Sequence, residues 1–145
     1  MGGVIDGLVF FDGPRAALLD KGHVVIQLAT PGTYFVPVED TPEPGVLVSG
    51  FLGLTEWLAE EAAKASLAGP VLYLHMEFHG GEGTHDALGW RDGVTAFGPR
   101  FTRTPREAAG EQYVAVQSRD MAINAGLRWL GVLAADGRDE YATVG

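Results

Sequence analysis

The chain has 145 residues, a net charge of −9, 46% hydrophobic and 20% charged residues, and no cysteine. That length fits one domain with a core of its own. The missing cysteine excludes disulfides, thiolate zinc sites, iron–sulfur clusters and cysteine nucleophiles, and the acidity opposes binding to nucleic acid or to an anionic membrane.

The opening "MGGVIDGLVFFDG" lacks the basic start of a secretory signal. With Asp6 at the sixth position it also lacks the Ser or Thr of a myristoylation signal. No apolar run approaches the roughly 20 residues of a membrane helix, so a cytoplasmic protein is expected. "VIDGLVFF" and "HVVIQLA" read as strands separated by the turn-rich "DGPRAALLDKG". "TPGTYFVPVEDTPEPGV" holds four prolines and reads as an irregular connection or a sheet edge.

The strongest helix signal runs from Leu54 to Ala68. Thr55 is placed to cap it, Leu54, Leu58, Ala62 and Ala65 recur at helical spacing, and Gly69-Pro70 stops it. Val71 to His79 then alternates. Leu72, Leu74, Met76 and Phe78 point one way, and Val71, Tyr73, His75, Glu77 and His79 the other. The even-numbered side chains are expected to fill the core and the odd-numbered ones to face outward.

Gly80, Gly81 and Gly83 are expected to allow positive φ in a sharp turn. "THDALGWRDGVTAFGP" reads as a hairpin about Asp92-Gly93, with Trp90 opposite Thr95 and Leu88 opposite Phe97 on one face. Trp90, Phe97 and Trp129 are expected in the core. "RFTRTPREAAGEQ" reads as a polar loop and "YVAVQS" as a short strand. A second helix from Met121 to Leu130 has Asp120 as its cap, Ile123, Leu127 and Leu130 as its buried stripe, and Gly131 as its stop. In the acidic tail, Tyr141 and Val144 are placed to dock on the body. The sum is a single α+β domain over residues 1–145, mainly antiparallel sheet with its two main helices on one face.

"LYLHMEFHGGEGTHDALGW" carries three of the four histidines and holds the candidate chemistry. For a metal, the set is His75, Glu77, His79 and His85, and the ion a divalent one such as zinc. Neighbours at i, i+2 on a strand lie roughly 7 Å apart and at i, i+4 roughly 13 Å. Zinc holds nitrogen at about 2.1 Å, so one ion takes two of the strand residues and needs His85 or Asp86 to add a ligand. A serine hydrolase with an oxyanion loop is not expected, because none of Ser49, Ser66 and Ser118 stands in a G-x-S-x-G elbow. Phosphate binding is excluded, because "GGEG" opens no helix and carries Glu82. Acid–base catalysis by Glu77 with a histidine requires a pocket.

"EFHGGEGTHDALGWRDGVTAFGP", then "INAGLRWLGV", then "DEYATVG" resemble a group of small uncharacterised bacterial proteins. These share an acidic-aromatic strand, a G-G-x-G hairpin loop, an Ile-Asn helix and an Asp-Glu-aromatic tail. The resemblance covers roughly Gly69 to Gly145. It departs at His79, where the group has an aromatic residue, and at His85, where it has Gln. The resemblance implies an immunity or inhibitor role. Composition agrees with a non-enzymatic acidic protein that needs no cofactor and recognises a basic protein partner through Tyr73, His75, Glu77, His79, Glu82, His85 and Asp86, with Tyr73 as the aromatic anchor.

Overall fold

Val71–His79 is extended, as its alternation predicts, and the other strands line up on either side of it. The computed structural model describes residues 2–38, 46–79, 82–107, 109–135 and 137–144. The strands are β1 (Gly2–Phe10), β2 (Ile26–Gln27), β3 (Tyr34–Pro37), β4 (Val71–His79), β5 (Glu82–Arg91), β6 (Val94–Arg103) and β7 (Val114–Ala115). The helices are α1 (Asp12–Asp20), α2 (Glu56–Ala65), α3 (Ala122–Leu130) and α4 (Glu140–Val144). The sheet runs β2-β3-β1-β4-β5-β6-β7. All its pairs are antiparallel except β6 with β7. The expected α+β domain with a mainly antiparallel sheet is what forms. No helix of the described residues is long and apolar enough to cross a membrane.

The placement of the helices differs from the expectation. Val71 and Tyr73 pack with Leu58, Ala62 and Ala65 of α2 and Leu18 of α1. Leu72, Leu74 and Met76 pack with Ile123, Leu127 and Leu130 of α3. Successive strand residues point to opposite faces, so α1 and α2 cover a first face and α3 and α4 a second. The odd-numbered side chains in the middle of β4 therefore do not look outward: Tyr73 is 0% and His75 6% exposed, while Glu77 further along stays 45% exposed. Alternation divided the strand into two faces correctly, but both are covered.

Local chemistry explains the boundaries. The Thr55 hydroxyl accepts the Leu58 N–H at 3.1 Å and starts α2. The segment predicted as a turn is α1 instead. Its Gly13-Pro14 falls in the first turn, where a missing N–H breaks no helical hydrogen bond. The proline-rich segment supplies β3, an internal strand between β2 and β1, with Pro37 at its end; the part of that prediction over residues 39–45 lies outside the described residues. "HVVIQLA" pairs only over Ile26–Gln27 and "YVAVQS" only over Val114–Ala115.

Asp120 does not cap α3. Met121 occupies the cap position, and the Ala122 N–H donates to the Thr102 hydroxyl of β6 at 2.8 Å. Gly131 ends the helix with φ 118°. In the β5–β6 hairpin, Asp92 and Gly93 take positive φ and Trp90 faces Thr95, as predicted. Irregular register beyond that point brings Gly89, not Leu88, opposite Phe97. Leu88 and Trp90 thus lie on the first face and Phe97 on the second, where Phe97 packs at 5.5 Å from Trp129. Trp90 is buried; Phe97 and Trp129 are half-buried.

Leu127 is fully buried in the second-face core. Leu127→Ala should destabilise the chain by about 2–5 kcal/mol, read by urea unfolding. A loss below about 0.5 kcal/mol, the range of ordinary surface substitutions, would contradict the docking of α3.

Candidate functional site

Three strands bring three ionisable residues into one row. In register, Asp6 of β1 lies opposite His75 of β4, and His75 lies opposite Asp86 of β5. Paired residues share a face, so all three project onto the first face. Asp6 Oδ2 lies 3.2 Å from His75 Nδ1, and Glu77 Oε1 lies 3.6 Å from His75 Nε2. The Tyr73 hydroxyl donates to Asp6 Oδ1 at 2.5 Å. Asp86 is fully buried, with the Tyr113 hydroxyl directed at its carboxylate.

Residues 51–53, just ahead of α2, close over this row. Phe51 meets Tyr73 edge-on at 5.7 Å and Phe101 at 4.9 Å, and Phe101 meets Tyr113 at 5.7 Å. Gly53 sits directly on the polar groups. A Cβ there would overlap the Asp6 carboxylate and the Tyr73 hydroxyl, so glycine is required for close approach. Beyond the cover lies a cleft of about 240 Å³ lined by Leu52, Glu77, Thr84, Glu107, Gly110 and Tyr113. The Glu77 side chain is 45% exposed, so it touches His75 on one side and the cleft on the other.

Burial sets the protonation states. Desolvation pushes His75 down, but the hydrogen bond and charge of Asp6, with the charges of Asp86 and Glu77, outweigh it and leave the imidazole above its ordinary range. Desolvation pushes the Asp86 carboxyl up to about 6 against the opposing pull of Tyr113 and His75. Tyr73 and Tyr113 are both raised, first by burial and then by the carboxylates beside them, so both stay neutral. Three carboxylates around one imidazole leave the site negative even when His75 is charged.

The sequence-predicted residues divide. Tyr73, His75, Glu77 and Asp86 come together. Tyr73 and Asp86 are fully buried, which removes Tyr73 as an exposed anchor. His85 pairs with Met76 and so projects onto the second face, away from His75. Burial there pushes its pKa down to about 4. Glu82 pairs with His79 at the far end of β4; the His79 side chain lies outside the described residues. The proposed metal set His75, Glu77, His79 and His85 therefore does not converge, because its histidines at 75 and 85 occupy opposite faces. Among the described residues no group of three or more His, Asp or Glu is arranged to hold a metal ion.

Gly83 has no positive φ. Its missing Cβ makes room for the Glu77 carbonyl and the Phe78 backbone, while Gly80 and Gly81 lie outside the described residues. Sequence reasoning missed Asp6, Gly53, Glu107 and Tyr113. Asp6 did carry a signal, as a lone charge inside an apolar strand, but its partner depends on register. No family model, curated protein or solved structure matches the chain.

Asp86 holds its proton more readily folded than unfolded, so its contribution to stability declines as pH rises from 3.8 towards about 6. His85 resists its proton when folded, so its contribution is lost as pH falls from 6.5 towards about 4. Asp86→Asn should make the slope of unfolding free energy against pH more positive between about 4 and 6, and His85→Gln should make it more negative. Urea unfolding at stepped pH reads both. Slopes equal to that of the parent chain in both variants would contradict the burial of these groups.

Proposed function

We propose that this chain is a non-enzymatic acidic binding protein of inhibitor or toxin-immunity type, which recognises a basic protein by taking one arginine or lysine side chain into the cleft beside Glu77. The observation that carries the reading is the position of Glu77: half exposed in a cleft it shares with Glu107 and Tyr113, and backed by the carboxylates of Asp6 and Asp86. A cation entering there meets a cleft lined by Glu77, Glu107 and Tyr113, residue types suited to a guanidinium or ammonium group.

The same geometry favours binding over acid–base catalysis. Both His75 nitrogens are closed off from solvent and turned toward Asp6 and Glu77, so the imidazole steadies the wall and does not meet what enters. Arg103 does not line the cleft. Its Nη1 donates to the carbonyls of Thr104, Pro105 and Glu107 and fixes the loop that carries Glu107. The net charge of −9 adds long-range attraction for a basic partner.

Titration of Nα-acetyl-arginine methylamide into the whole chain, followed by amide NMR, should shift Thr84, Gly110 and Tyr113. Glu77→Gln should weaken binding by about tenfold, the scale of one charged hydrogen bond. Nα-acetyl-glutamate methylamide should give no such shifts. Equal responses to the two compounds, or arginine shifts elsewhere, would overturn the reading.

A further inference from the structure

The second face holds two adjoining cavities beneath α3 and α4. The first, about 120 Å³, is lined almost wholly by apolar side chains, among them Val9, Leu74, Leu127 and Val144. The second, about 150 Å³, mixes apolar side chains such as Met76, Val116 and Met121 with the polar His85, Thr104, Asn124 and Asp139. Ile123 and Tyr141 line both, so the two lie side by side along those side chains. Protein interiors are close-packed, and an unfilled volume of this size forfeits contacts. An apolar cavity of about 150 Å³ is large enough to admit benzene.

The polar end has unmet capacity. His85 is 8% exposed, and its Nδ1 has no hydrogen-bond partner. Asp139 accepts from Asn124 Nδ2 at 3.3 Å and from the Ala142 N–H at 2.7 Å. Among the described residues no Lys, Arg or His lies within ion-pair distance of it. Among the described residues it is also the one formally charged side chain on the walls of either cavity; His85, kept neutral by its burial, adds no positive charge.

We propose that the two neighbouring cavities together bind a small amphipathic amine that reaches past Tyr141, its short hydrocarbon part between Leu74, Leu127 and Val144 and its ammonium group at Asp139 near His85. Charge complementarity selects the head group. A carboxylate would face Asp139 without a cation to offset it, and an alcohol would leave that charge unpaired. The site is independent of the acidic cleft, which lies on the other face of the sheet.

Hexylamine, hexanol and hexanoate titrated into the whole chain, with amide NMR as the readout, test this. Hexylamine should bind about tenfold more tightly than hexanol, the scale of one charged hydrogen bond. Hexanoate should show no saturation. The shifts should centre on Leu127, Tyr141 and Val144. Asp139→Asn should bring hexylamine to the affinity of hexanol, and Val144→Phe, which fills the apolar end, should abolish both. Hexanoate binding as well as hexylamine, no saturable shift with any of the three, or hexylamine shifts confined to Thr84, Gly110 and Tyr113 would overturn the proposal. An unchanged preference for amine in Asp139→Asn would overturn the head-group assignment. Because the three-compound series on the parent chain decides the case, the test holds even where a variant fails to fold.

Discussion

A buried imidazole set between carboxylates from both neighbouring strands is the constraint on which this structure depends. His75 has Asp6 on one side and Asp86 on the other, in register. Breaking a buried charge pair by removing one partner costs about 3–5 kcal/mol. A one-residue slip of β1 or β5 would have a similar consequence, because it would send Asp6 or Asp86 to the opposite face, among Leu74, Met76 and Leu127. The polar row therefore specifies the pairing of the three central strands. The apolar residues around it, which fill both faces, would specify that pairing less sharply on their own.

The cover over the row connects this constraint to the surface. Phe51, Phe101 and Tyr113 form an aromatic wall, and Gly53 lets the backbone descend onto Asp6 and Tyr73. Water is excluded from His75 and Asp86, which strengthens their mutual interactions and shifts their protonation. Glu77, two residues along the same strand face, escapes the cover and carries the charge of the cluster into an open cleft. Fold specification and the proposed recognition thus share one strand face: its middle is buried, and its Glu77 end is open.

How much of this was legible follows from what periodicity can and cannot say. The extended course of β4, the Thr55 cap, the apolar stripes of α2 and α3, the Asp92-Gly93 turn and the Gly131 stop are local, and local signals showed them. Alternation in β4 separated Tyr73, His75 and Glu77 from Leu72, Leu74 and Met76, but it carries no mark of which face is covered. Polarity alone suggests a wet face, whereas Val71 and Tyr73 on that same face are large and buried. Asp6, Tyr113 and Glu107 join the site through pairings and chain returns that join distant parts of the sequence. Gly13-Pro14 in α1 reads as a turn because glycine and proline mark turns more often than first helical turns. His85 was grouped with His75 by proximity in sequence, although strand parity and the β4–β5 register place it on the other face.

A sheet covered on both sides gives each face its own chemistry. The first face buries a negative row and opens at Glu77. The second is mainly apolar, with His85, Thr102 and the Asn124–Asp139 pair as polar groups among its described residues. The most direct test of the account is an NMR titration of the histidine imidazoles in the parent chain and in Asp6→Asn. The account predicts that His75 titrates above its ordinary value of 6.5 in the parent chain and falls when Asp6 loses its charge, since burial is then less strongly opposed. A His75 that titrates below 6.5 in the parent chain, or that Asp6→Asn leaves unmoved, would contradict it.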